Sequence, residues 1–434
     1  MRPGLIRKRH LRCRGTHLPG GARRGFVVLW LGQFTAIAGL TVVVPLLPFY
    51  LAGLGVPEHD VPWWTAVSLA APAVTQMITA PLWGIVGDRY GRKAMVVRAH
   101  AGLALAVGLM ALADGPEEFL GYRLLQGACG GVVGATATFA SSLAPAQRRG
   151  RALGGLFGAV AAGSLVGPLA GSLLATGYGY GALFGAIAAL LALSSLSALV
   201  LLREPAGGPR AAGAPEAGGP TLWAAAAELL RSLRSRHLLM AGVAGQAGVY
   251  ALLVLFAPRV AQVTGSVAAA TVWVGILQAV TWAASLVGGP WWGHRNDRHR
   301  PELGFAMAAA GCGLAVALQA VPVTAAGLLP LRVAQGFCFA ALVPSVQHVI
   351  SRLVAERARG AGLGIAQALL DLGQVLGPLL GALAAALLPA PAAFATVGVL
   401  FGLASALALA GDRAARRDAT TTPEHSRPAL GGSR

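Results

Sequence analysis

The chain has 434 residues, 56% hydrophobic and only 12% charged, with a mean hydropathy of +0.66. A soluble domain carries about 25% charged residues, so half the usual charge is missing and a soluble enzyme is excluded as the first reading. At about 20 apolar residues per crossing, the chain can supply roughly a dozen membrane spans with short loops. The net charge of +18 invites a nucleic-acid partner, but where the charges sit decides that question.

Lysine usage excludes more. Only Lys8 and Lys93 occur against 32 Arg, so no phosphate-binding loop of the form G-x-x-x-x-G-K-[ST] can be written. A pump carrying its own nucleotide-binding domain is therefore excluded, and no membrane-embedded lysine is available for a Schiff base. Cys129, Cys312 and Cys338 lie in apolar segments and Cys13 in the basic N-terminal tail, with no spacing for a metal, a cofactor or a disulfide framework.

In chain order, residues 1–24 carry eight basic residues and no acid, and the apolar stretch that follows is too long for a signal-peptide core. Apolar runs near 25–51, 62–86, 94–113, 118–142, 152–175 and 180–202 predict six membrane helices. A Pro/Gly/Ala-rich linker, 203–221, leads to 222–237, which reads as an amphipathic helix outside the membrane. Six further runs follow near 238–260, 268–292, 303–321, 325–350, 361–386 and 390–411, and a polar tail from 412 is expected to be disordered. The domain reading is a basic tail (1–24), a six-helix bundle (25–202), a linker (203–237), a second bundle (238–411) and a tail (412–434).

Charge placement tests that count. With both termini in the cytoplasm, 31 of the 34 Lys and Arg fall on the cytoplasmic side. The exceptions are Arg123 and Arg332 inside predicted helices and Arg259 at an outer helix end, while the outer loops hold Glu58, Asp60, Asp114, Glu117 and Glu118. This is the positive-inside pattern of a multi-pass protein. It removes the nucleic-acid reading, because the cations form short scattered loops and no basic domain. Attraction to anionic headgroups is the role such loops have by charge alone.

The halves repeat. Ala80–Arg89 (APLWGIVGDR) recurs as Gly289–Arg298 (GPWWGHRNDR) at an offset of 209, as does Arg123-Leu-Leu-Gln126-Gly127 in Arg332-Val-Ala-Gln335-Gly336. Gly163, Gly167, Pro168 and Gly171 recur as Gly373, Gly377, Pro378 and Gly381 at 210. One inserted residue across three separated motifs marks a duplicated six-helix unit. In the fifth helix the glycines fall at four-residue spacing and form a small-residue face. Two readings of it stand: a packing seam, or a hinge at Pro168 with a seal against leak.

These residues resemble the major facilitator superfamily across essentially the whole chain. Gly84-x-x-Gly87-Asp88-Arg89-x-Gly91-Arg92-Lys93 is similar to that family's signature loop between helices 2 and 3, and Arg123-x-x-Gln126-Gly127 to its helix 4 motif. Gly163-x-x-x-Gly167-Pro168-x-x-Gly171 resembles the helix 5 motif of antiporters, and Gly39-x5-Pro45-x-x-Pro48 the helix 1 mark of twelve-helix drug:proton antiporters. PLWGIVGDRYGRK and the run from Asp371 to Pro378 look like the multidrug-resistance protein G-like subfamily. The resemblance implies an all-α membrane fold of two pseudo-symmetric six-helix bundles. It implies export of lipophilic drug-like compounds from a bacterial cytoplasm across the inner membrane by proton antiport, with no enzyme activity and no cofactor. It further implies that Asp88, with Arg89, Gly91, Arg92 and Lys93, latches the cytoplasmic gate against helix 11, and that Asp297 and Arg298 do the same against helix 5. Family members often carry an acid before Leu-x-Pro at the end of helix 4; Ser142 stands there, so a full charge relay is not expected.

Ionisable groups inside the membrane are functional candidates by default. Asp371 is the acid well inside the hydrocarbon, in the eleventh helix, and suits a site that takes and releases protons. Its alternative is a polar contact with Arg332 or a neighbouring helix. Arg123 is a candidate for coupling or a static anchor, and Arg332 duplicates it. His100 and His348 read as interfacial residues, and Trp63, Trp64, Trp291 and Trp292 as interface belts. Helices 1, 4, 7 and 10 offer a cavity of Gln33, Phe34, Gln126, Gln246, Tyr250, Phe256, Gln335, Phe337 and Gln347, which suits a bulky amphipathic small molecule. A monomer is expected. A dedicated exporter of one metabolite, a sugar or a self-made antibiotic, is the alternative; a non-transporting receptor would not need Asp371 and the paired loop motifs.

Overall fold

In a bilayer every backbone N–H and C=O must find its partner within the segment, so long apolar runs become helices. The structure is a computed structural model and describes residues 20–143, 149–203, 227, 229, 231–354 and 359–421. The helices are α1 (Gly20–Gly53), α2 (Val61–Tyr90), α3 (Arg92–Met110), α4 (Pro116–Ala128), α5 (Val132–Leu143) and α6 (Arg149–Leu201). The second half contributes α7 (Leu233–Thr264), α8 (Val267–Arg298), α9 (Pro301–Leu318), α10 (Leu329–Leu353), α11 (Arg359–Leu387) and α12 (Ala390–Thr421).

Two irregularities reconcile these helices with twelve crossings. The α4 and α5 helices form one crossing broken at Cys129–Gly131, where Gly131 adopts φ +96°, a conformation glycine takes without a Cβ clash. Conversely, α6 is two crossings joined at Gly179 (φ +82°, ψ 170°). Nine helices among the described residues are long and apolar enough to span a membrane, and the 49-residue apolar part of α6 serves twice. The α2 helix and the α4–α5 pair complete the set. Lipid-facing rows show as exposed leucines, such as Leu190, Leu193, Leu196 and Leu199 along the second half of α6.

Packing follows the repeat. Helix α1 lies on α6 as α7 lies on α11, α2 on the α4 crossing as α8 on α10, and α3 on α6 as α9 on α12. The halves meet where α6 touches α8, α2 touches α11, and α1 touches α7.

Two expectations at the edges are corrected. Of the helix expected over 222–237, Ala227, Leu229 and Arg231 are helical, the helix breaks at Ser232, and Leu233–His237 form the first turns of α7, whose Ser232 side chain accepts a hydrogen bond from the Ser235 N–H; residues 222–226, 228 and 230 lie outside the described residues. The disorder expected from 412 does not begin there. Helix α12 runs on to Thr421 because Asp412, 4% exposed, pairs with Arg300 (3.3 Å) and with Arg416 one turn later (2.9 Å). Residues 422–434 and 1–19 lie outside the described residues.

Candidate functional site

The glycine motifs place backbone against backbone. A Cβ on Gly163 would lie 2.7 Å from the Phe34 carbonyl, and one on Gly167 2.3 Å from that of Ala38. Their counterparts Gly373 and Gly377 meet the carbonyls of Val243 and Ala247 at 2.5 Å each, on α7. Gly171 abuts Val42, and Gly381 abuts Ala251. Each stripe therefore joins helices of its own bundle, α6 to α1 and α11 to α7. Pro168 and Ser172, by contrast, touch the other half: a Cβ on Gly275 of α8 would fall 2.7 Å from the Pro168 carbonyl and 2.0 Å from Ser172 Oγ.

At that same end of α8, Thr271 lies beside the Tyr180 side chain. Tyr180 belongs to an aromatic cluster, its ring 5.4 Å from that of Tyr50, which also packs on Phe119 (4.9 Å) and Phe184 (5.0 Å). Tyr50 Oη donates to the Met110 carbonyl at 2.9 Å. One end of the α6–α8 face is thus tied to the first bundle's aromatic core.

Both buried arginines sit in amide cages. Arg123, 3% exposed, donates from Nε to the Ser68 carbonyl (2.9 Å) and from Nη1 to Gln126 Oε1. Arg332, 2% exposed, donates from Nη1 to Gln335 Oε1 (3.0 Å) and from Nη2 to Gln278 Oε1, with its guanidinium 4.1 Å above the Phe256 ring. Gln335 also accepts from Gln319 Nε2 at 2.9 Å. No acid among the described residues pairs with either arginine. A buried charge without a counter-charge is costly unless hydrogen-bonded, and the amides supply those acceptors.

Asp371 takes its partners from its own helix. Gln367 and Gln374, one turn to either side, each donate from Nε2 to Asp371 Oδ1 at 2.8 Å, and Gln347 of α10 donates to Gln367 Oε1 at 3.3 Å. Tyr250 of α7 feels the carboxylate electrostatically. Arg332 is not its partner. The structure therefore brings Asp371, Tyr250 and Gln347 together, with Gln246 of α7 buried nearby against Gly373. Gln33, 1% exposed, belongs elsewhere, accepting from Thr136 Oγ1 at 2.6 Å, and Phe34 stacks on Trp30 at 5.7 Å. Phe256 is fully buried beneath Arg332, and Phe337 packs against Trp291 and Trp292, so neither joins the Asp371 group.

Among the loop residues, Gly91 bridges α2 and α3 at φ +91° with its N–H on the Gly87 carbonyl (3.0 Å). Arg89 lies exposed with its guanidinium 5.5 Å from the Tyr90 ring. Arg92 and Lys93 open α3, and the Asp88 side chain lies outside the described residues. Asp297 and Arg298 are exposed at the end of α8, where Asp297 interacts electrostatically with His348 of α10.

Four residues carry more than the sequence reading gave them. Arg98, counted there with the loop charges, stacks 3.7 Å over Trp83 and donates from Nη1 to the Cys129 (2.9 Å) and Gly130 (3.2 Å) carbonyls, capping the C-terminal end of α4. Trp292 is no belt residue: it is 4% exposed and donates to the Phe337 carbonyl at 2.9 Å, as Trp83 does to Ala128 at 2.6 Å. Their offset of 209 was the available signal. His100 is buried between α3 and α1, with Nδ1 2.9 Å from the Val96 carbonyl. Glu302, 1% exposed, pairs with Arg234 across α9 and α7.

A duplicated twelve-crossing architecture with helices pairing across a two-bundle interface is that of a multi-pass membrane transporter. The profile of the Major Facilitator Superfamily matches residues 29–329 and again 265–431, and the chain belongs to that family. It is 36% identical to the Staphyloferrin B transporter of Staphylococcus aureus (strain NCTC 8325 / PS 47) over 88% of this chain and 91% of that one. It is 30% identical to the multidrug resistance protein MdtG of Escherichia coli (strain SMS-3-5 / SECEC), covering 83% and 87%. Among solved structures, an inward-facing bacterial homologue of the human lysosomal transporter Spinster shares the fold with a TM-score of 0.73 at 17% identity, covering 92% and 98%.

Proposed function

We propose that this transporter exports small organic compounds from a bacterial cytoplasm in exchange for protons, with Asp371 as the proton-carrying group. The observation behind it is the Asp371 carboxylate, held at Oδ1 by two glutamines of its own helix and compensated by no cation among the described residues. A group so placed can change protonation without breaking an ion pair. Alternating access then rocks the bundles across the α6–α8 and α2–α11 faces, with the Tyr180–Thr271 contact closing the outer side and Asp88 latching the cytoplasmic side. The arginine-rich loops support a topology with both termini in the cytoplasm, and the working unit in this reading is a monomer.

Lipophilic drugs are the first substrate class, supported by the relatives named for multidrug resistance. A dedicated metabolite exporter is the second reading, supported by the relative named for one siderophore and by an interior where two buried arginines lack acids. Everted vesicles test both. Gradient-dependent dye uptake that Asp371→Asn abolishes, in protein still folded and inserted, supports drug:proton antiport. Equal uptake in both proteins removes Asp371 from the mechanism. No uptake of any lipophilic dye, with gradient-driven uptake of a polar metabolite, favours the dedicated exporter.

A further inference from the structure

Inside the second bundle, two thiols from different helices meet. Cys312 of α9 is fully buried and Cys338 of α10 half-buried; both are free, and the Cys338 side chain lies beside that of Cys312. Their sequence positions form no motif; the packing of α9 on α10 makes the pair. Gly311 leaves room for it, since a Cβ there would fall 2.7 Å from Cys338 Sγ. Cys312 Sγ donates to the Gln335 carbonyl at 3.6 Å. The Gln335 side chain in turn accepts from Arg332, the buried cation with which no acid among the described residues pairs.

The repeat supplies an internal comparison. At the offset of 209, Gly311 answers to Gly102 and Cys338 to Cys129, whose Sγ a Cβ on Gly102 would meet at 3.0 Å. Arg332 and Gln335 answer to Arg123 and Gln126. Cys312 departs: its counterpart is the buried Leu103. A single thiol in an apolar core is a small packing residue, and Cys129 beside Leu103 fits that role. Cys312 and Cys338 together present two soft donors to one point.

Chemistry narrows the ligand. A structural zinc takes four ligands, and no group of three or more His, Cys, Asp or Glu side chains fit to hold a metal forms among the described residues. Soft thiolate ligands select soft ions such as copper(I), and a singly charged ion of that kind is satisfied by two sulfurs. One such ion displaces both S–H protons, so the pair passes from neutral to a dithiolate complex of one net negative charge. A buried charge needs a neighbouring counter-charge, and Arg332, linked through Gln335, supplies it. We propose that Cys312 and Cys338 bind one soft monovalent metal ion, of the copper(I) or silver(I) kind, as a two-coordinate dithiolate clamped between α9 and α10. The half-buried Cys338 receives the ion and the buried Cys312 completes the chelate.

Silver(I) is the probe, added to the full-length protein purified anaerobically in detergent, with excess monothiol present to strip ions held by one sulfur. The wild type should retain one silver per chain after desalting and release two protons as it binds. Cys338→Ser and Cys312→Ala should each cut retention about tenfold or more, the loss of a chelate, while Cys129→Ser should keep it. Gel filtration checks that each variant is folded. Cys312→Ala opens a void in the core and can compromise folding, so Cys338→Ser, at its half-buried position, decides. No silver retained by the wild type overturns the proposal, as does retention unchanged in folded Cys338→Ser or an equal loss in Cys129→Ser. A Cys312–Cys338 disulfide in the peptide map of the anaerobically purified protein assigns the pair to a redox staple and overturns the metal site.

Discussion

The two bundles come from one repeat, and they differ at few places. Both keep the glycine stripe, the arginine with a glutamine three residues on, and the tryptophan that donates to a carbonyl two crossings further on. The first bundle alone breaks its fourth crossing, at Gly130–Gly131, and holds the break with Arg98; at the equivalent place in the second stands Met307, and α10 runs unbroken. The second bundle alone carries an acid, Asp371, where the first has Ala161. What is shared concerns packing in lipid, where small residues and backbone carbonyls bring helices together. What differs is one backbone break with the arginine that caps it, and one acid. Duplication preserved the scaffold and let the chemistry diverge.

The largest expected effect tests the shared part. Gly167→Val and Gly377→Val each drive a side chain into a carbonyl at 2.3 and 2.5 Å. Each should cost about 3 kcal/mol or more and remove the folded peak in fluorescence-detected gel filtration. A loss in one bundle only would break the equivalence of the two seams. Arg98→Met, which copies the second bundle into the first, should cost about 2 kcal/mol in thermal unfolding and speed hydrogen exchange around residues 127–133; Met307→Arg should bring no matching gain. The smallest effect lies between the bundles. Tyr180→Phe removes the hydroxyl that faces Thr271, a polar contact of about 1 kcal/mol at most. It should move the distribution of spin-label distances across α6–α8 towards the separated state, and Thr271→Val should add nothing to it.

The fold was largely legible. Twelve apolar runs, their charge asymmetry and the 209-residue offset gave most crossings to within a few residues of the observed helices, while the last helix runs ten residues past the expected 411. The fourth crossing was the exception, since the run at 118–142 shows no change of hydropathy at its break and hydropathy does not register a glycine at positive φ. Partnerships were harder. Gln367 and Gln374 flank Asp371 at helical spacing and could have been read, whereas the Tyr180–Thr271 contact joins residues whose proximity depends on how the bundles lean together. Trp292 misled because a tryptophan near a helix end reads as an interface anchor until the buried carbonyl it serves is known.

The glycine stripes carry one more consequence. A joint must have slack, and at Gly163, Gly167, Gly373 and Gly377 the main chains of two helices are already in contact. Such a seam behaves as a weld. Under the alternating access proposed above, the seam reading has α1 travel with the first half of α6 and α7 with α11, so that the movement falls on the α6–α8 and α2–α11 faces.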